Sequence, residues 1–118
     1  MLGSSSKILS YEDHDFLFSK TSHLPHVISY SLTDSLFKSL GERTFDFSGG
    51  SLEDYTRIAS SDPLMWKDIL ISNHQNILDS IEDFEESLAS LKNLIKNKDE
   101  KALVDYFNKV KILRDNSV

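Results

Sequence analysis

Thr21-Ser22-His23-Leu24-Pro25-His26 lies inside a run of residues with helical apolar spacing. Pro25 removes one backbone donor, and a proline here kinks or restarts a helix. His14, Phe16, Leu17 and Phe18 precede the step, and Val27, Ile28, Tyr30, Leu32, Leu36, Phe37 and Leu40 follow it. The pattern therefore predicts helix from about residue 11, through a kink, to Leu40. His23 and His26 are three residues apart, on neighbouring positions of one face. Carbonyls freed by the proline and two imidazoles would cluster at one place. A neutral imidazole both donates and accepts, and its charge changes near physiological pH. Beside that functional reading stands a plain one, a helix restart carrying two partly buried histidines.

Working outward, Ser10 with Glu12 and Asp13 behind it is a helix N-cap followed by acid in the first turn. Gly41 suits the stop. Residues 42–50 read as a loop closing on Phe47-Ser48-Gly49-Gly50, whose paired glycines permit close backbone approach or positive φ. Ser51 and Asp54 resemble a capping box for a short helix through Ile58. Asp62-Pro63 is a further start, with Asp62 as N-cap and Pro63 in the first helical position. From there one helix is expected to run to about Lys96. Leu70, His74, Ile77, Ile81, Phe84, Leu88, Leu91 and Ile95 alternate spacings of four and three, a heptad seam. Such a helix of roughly 34 residues would be about 50 Å long. A 100-residue domain of ~13 Å radius of gyration is only about 26 Å across, so a dimer is expected. Glu82, Asp83, Glu85 and Glu86 read as a solvated face. Asp99 caps a last helix, from about Glu100 to Arg114, that would bury Leu103, Tyr106, Phe107, Val110 and Leu113. Residues 1–10 read as a tail, or the remnant of a preceding segment.

Composition narrows the function. The 118 residues suit one domain, with 39% hydrophobic and 27% charged side chains. Thirteen basic and 19 acidic residues give a net charge of −6, with no basic stripe for nucleic acid. No apolar run reaches membrane-spanning length, so no membrane role is expected. There is no cysteine, which excludes disulfides and thiolate ligands and fits a cytoplasmic protein. The histidines lack metal-site spacing, so no metal is expected. Neither a nucleophile elbow nor a G-x-G-x-x-G loop is present.

Two further residues stand out. Arg57 precedes the Asp62-Pro63 start, where a guanidinium could grip a carboxylate through two parallel hydrogen bonds. Its bland alternative is a surface pair with Glu53 or Asp54. Trp66, early in the expected long helix, is either ordinary core or an interface anchor.

Taken together these pieces resemble the C-terminal domain of prephenate dehydrogenase. The resemblance rests on Glu12-Asp13-His14-Asp15, Thr21-Ser22-His23-Leu24-Pro25-His26, Phe47-Ser48-Gly49-Gly50, Asp54-Tyr55-Thr56-Arg57-Ile58-Ala59 and Ser61-Asp62-Pro63-Leu64-Met65-Trp66-Lys67-Asp68-Ile69. It implies an all-α helical bundle like the 6-phosphogluconate dehydrogenase C-terminal domain, forming an intertwined homodimer over residues 11–118. It also implies a preceding NAD-binding Rossmann domain, not contained in this sequence, that carries the catalytic histidine. The chain given would then be inactive alone, with no catalytic or cofactor-binding residue of its own. The implied reaction is oxidative decarboxylation of prephenate to 4-hydroxyphenylpyruvate in tyrosine biosynthesis. By the same resemblance Arg57 holds a substrate carboxylate, His26 lines the pocket and Gly50 borders it. Trp66 would approach the pocket of the partner subunit, with His14 and His23 in support. An arogenate or cyclohexadienyl dehydrogenase domain, a non-catalytic helical dimerisation module and a regulatory domain for an aromatic amino acid are the alternatives.

Overall fold

A computed structural model describes residues 9–118 of the chain. The described residues form helices and no strands: α1 (Tyr11–Phe18), α2 (Leu24–Leu40), α3 (Gly50–Arg57), α4 (Pro63–Ser72), α5 (His74–Lys96) and α6 (Glu100–Ser117). The all-α class follows the expectation. Most of the expected tail at residues 1–10 lies outside the described residues. A π turn, Ser19–His23, joins α1 to α2, and short 3₁₀ turns follow α2 and α3 at Gly41–Arg43 and Ile58–Ser60.

The expected caps form. Ser10 Oγ accepts from the Asp13 amide at 3.1 Å, Asp62 Oδ1 from Leu64 at 3.0 Å, and Asp99 Oδ1 from Ala102 at 3.1 Å. Each satisfies a backbone donor that the first helical turn leaves unpaired. Gly41 ends α2 at φ 56°, ψ −134°, a conformation that side-chain-bearing residues avoid.

Three expectations are corrected. No side chain caps α3: the helix starts at Gly50 with Gly49 before it, at φ −89°. Ser51 and Asp54 therefore make no capping box, and neither glycine of the pair is at positive φ. A Cβ on either would meet nothing within 4 Å. The second correction is the long helix. It breaks at Asn73 (φ −118°, ψ 28°), leaving a ten-residue α4 and a 23-residue α5. The hydrogen-bond ladder survives on both sides, from Asn73 N–H to Ile69 and from Ile77 N–H to Asn73. The break is a one-residue bend, and the Leu70-to-Ile95 seam is not one straight stripe. At 1.5 Å per residue α5 alone is roughly 35 Å long.

The chain divides into two compact units, one ending at Ile81 and one from Glu82 to Val118. In the first, Trp66 and Ile77 are the buried apolar residues. Small hydroxyls fill the tightest place there. Ser19 and Ser80 are essentially fully buried, with their Oγ atoms 3.1 Å apart, and Ser19 also donates to the Phe16 carbonyl. In the second unit α5 turns into α6 through Asn97-Lys98-Asp99. Lys98 is at φ 53°, its N–H bonds Ile95 and that of Asp99 bonds Leu94. This is the paired pattern of a Schellman turn. The third correction falls on α6. Phe107, Val110 and Leu113, expected to be buried, are exposed, while Leu103 and Tyr106 are half-buried. One helix of a hairpin can turn only part of its apolar surface towards its neighbour.

Candidate functional site

The proline step builds the first part of the site. Pro25 has no N–H to return to the preceding turn, and its ring crowds the carbonyl four residues back. The helix relieves this by widening: the Leu24 N–H reaches five residues back, to Ser19. The expected clustering of carbonyl and imidazole follows. His26 Nδ1 lies 2.9 Å from the Ser22 carbonyl. A carbonyl only accepts, so Nδ1 carries hydrogen, and in the neutral ring Nε2 is left as an acceptor.

Trp66 covers the two histidines. Its indole stacks on His26 with centroids 3.7 Å apart and planes at 19°, and meets His23 edge-on at 5.8 Å. The tryptophan is only 6% exposed within its own chain. Within the chain one flat face of the indole is stacked on His26. Burial lowers the pKa of His23 from 6.5, against the raising effect of Asp15, and nearby His26 and His14 lower it further. His23 is therefore a neutral ring at physiological pH.

Asn73, which sequence reasoning passed over, closes this cluster from the α4–α5 bend. Its Nδ2 donates to the Asp15 carbonyl at 2.8 Å and lies 3.3 Å from His23 Nδ1. Its Oδ1 accepts from Asn76 Nδ2 at 2.9 Å. The available signal was a run of weak helix formers, Ser72-Asn73-His74, between two strongly apolar-periodic stretches. His14 stands apart from the tryptophan. It is exposed, 3.3 Å from the Asp15 carboxylate, with its ring 4.3 Å from that of Phe18.

Arg57 lies elsewhere in the same unit, lining an open cavity of about 650 Å³ with Thr33, Phe45, Glu53, Asp54, Thr56, Ala59 and Ser60. Among the described residues Arg57 forms no ion pair, so the alternative of a surface pair with Glu53 or Asp54 is not realised. Two carboxylates and one guanidinium give the lining no general positive field. An anion would gain there through direct contact with the guanidinium fork. Neither His26 nor Gly50 lines this cavity. The link between the two places is α2. His26, Tyr30 and Thr33 follow i, i+4, i+7 spacing on one face, which puts His26 and Thr33 about 10 Å apart along the axis. Tyr30 OH donates to the Ser61 carbonyl at 3.4 Å, tying that face to the 3₁₀ turn after Arg57.

Dinucleotide binding usually uses a strand, a glycine loop and a helix; the described residues contain no strand and the sequence no such loop. Among the described residues no three His, Asp or Glu are grouped to hold a metal ion, and no helix is long and apolar enough to cross a membrane.

Comparison with known proteins agrees with the helical architecture. Prephenate dehydrogenase of Bacillus subtilis is 36% identical over 109 residues, covering 91% of this chain and 29% of that protein. Cyclohexadienyl dehydrogenase of Zymomonas mobilis is 34% identical, covering 90% and 37%. The solved structure of prephenate dehydrogenase from A. aeolicus, in complex with hydroxyphenyl propionate and NAD+, superposes with a TM-score of 0.86 at 43% identity, over 93% of this chain and 39% of that one. The chain thus spans about a third of the length of the curated relatives it matches. The model of the prephenate dehydrogenase dimerization domain matches residues 10–109, and the chain belongs to that family.

Proposed function

We propose that residues 11–118 are the homodimerisation and substrate-side domain of a cytoplasmic, NAD-dependent prephenate dehydrogenase. The whole protein would convert prephenate to 4-hydroxyphenylpyruvate, with NAD and the catalytic histidine on a separate domain. The observation that carries the reading is the shared face of α2. It runs from the His26–Trp66 stack to a cavity whose one guanidinium, Arg57, has no carboxylate partner among the described residues. In this reading Arg57 grips a substrate carboxylate in that cavity, and the substrate pocket extends along α2 beyond the cavity's own lining to take in His26. Gly50 borders it at the start of α3, and Trp66, stacked on His26 in its own chain, approaches the pocket of the partner subunit. His14 and His23 support from the first helix and the π turn. Holding the substrate in a reactive pose is what such a domain adds to catalysis. The cyclohexadienyl dehydrogenase among the relatives, at nearly the same identity, favours a second reading in which arogenate is also accepted.

Arg57 provides the test, in the full-length enzyme. Deleting one partner of a desolvated charge pair costs about 2–5 kcal/mol, so Arg57→Ala should raise the KM for prephenate at least about thirtyfold. Arg57→Lys should recover little, because a point charge does not reproduce the planar fork. The KM for NAD should stay unchanged. A prephenate KM within about threefold of wild type would remove Arg57 from the site, since that is under 1 kcal/mol.

A further inference from the structure

We infer that Asn73 is a positioning residue that holds His23 as the tautomer protonated on Nε2. The amide sits at the α4–α5 bend, 8% exposed, and its orientation is set by the Asp15 backbone carbonyl. The Asp15 carbonyl at 2.8 Å can only accept, so the atom facing it is the NH₂. The opposite orientation would set two acceptors against each other there. The Asn76 amide, 2.9 Å from the other end, can then donate to Oδ1. With the NH₂ fixed, its second hydrogen points to His23 Nδ1, which must accept and therefore carries no proton. His26 is set the other way by the Ser22 carbonyl. Two rings three residues apart thus have opposite Nε2 chemistry, a donor on His23 and an acceptor on His26. The charged or titratable groups acting on His23 are Asp15, His26 and His14; low basicity keeps the ring neutral while the amide selects the tautomer. The inference deepens the pocket reading above, but its test reads the ring itself.

The test labels the histidines of the 118-residue chain with ¹⁵N and records long-range proton–nitrogen correlations near pH 7.5. His23 is assigned by its loss in His23→Gln. The expected spectrum shows His23 Nδ1 unprotonated and Nε2 protonated. In Asn73→Asp a carboxylate can only accept, so the proton should move to Nδ1 and the titration midpoint should rise by about one unit or more. His74 should not change. A protonated Nδ1 in the wild type overturns the inference, as does an Asn73→Asp variant of native helicity with unaltered His23 signals. Should that variant fail to fold, the wild-type spectrum still decides. The expected spectrum together with a normal prephenate KM in Arg57→Ala would support the Asn73 assignment while removing the pocket reading.

Discussion

His23 differs from an exposed histidine in what it gives to folding. Its pKa is lowered, mainly by burial, so between the folded value and 6.5 the unfolded chain binds more protons than the folded one. Stability then rises with pH across that window. The contribution is complete above 6.5 and is lost as pH falls through the lower folded value. Denaturant midpoints measured from pH 7.5 down to pH 5 should show this loss, and His23→Gln should flatten it. A midpoint that holds steady or rises on acidification in the wild type, with no difference in His23→Gln, would contradict the assignment of a buried neutral ring. At this scale the sequence was informative where backbone chemistry is local. Pro25 fixed where the helix had to widen, and the i, i+3 spacing brought both imidazoles to one place. It was silent about Asn73, because Asn73 is 58 residues from Asp15 and 50 from His23. No helical period reports a contact of that kind.

Among the elements, starts and stops were legible because they are made by short-range hydrogen bonds. Ser10, Asp62 and Asp99 cap as their residue types suggest, and Gly41 stops α2. The long helix was misjudged for the converse reason. Its seam from Leu70 to Ile95 has one period throughout, and a one-residue bend at Asn73 leaves that period intact in the sequence. Ser51 lost to Gly49-Gly50 as the start of α3 because an N-cap needs an extended backbone, which Gly49 adopts at ψ −178°. The α5–α6 turn contains a correctable strain. Lys98 sits in the left-handed region, which costs a side-chain-bearing residue roughly 1–2 kcal/mol, and the Schellman position it occupies usually holds glycine. Glycine's greater freedom when unfolded gives part of this back, so Lys98→Gly should stabilise the chain by about 0.5–1 kcal/mol. Chemical denaturation measures it; a destabilisation would mean that the Lys98 side chain contributes more than its backbone costs.

For the molecule as a whole, the burial is thin. Trp66 and Ile77 are the buried apolar residues among those described, while Phe16, Phe18, Leu64, Ile71, Leu88, Ile95, Phe107 and Leu113 are all at least 40% exposed. A stable soluble domain of this size ordinarily removes most of its apolar surface from water. Large exposed apolar areas mark surfaces that another chain covers. The chain belongs to a dimerization-domain family, and the homodimer proposed above would have a second copy cover these apolar faces. Interfaces of obligate dimers commonly bury about 2,000 Å² or more. Sedimentation equilibrium of the 118-residue chain at micromolar concentration tests this most directly. The expected species has twice the chain mass of 13.5 kDa, and its dissociation on dilution is accompanied by loss of helical circular dichroism. A monomer of 13.5 kDa with its helices intact would contradict the homodimer.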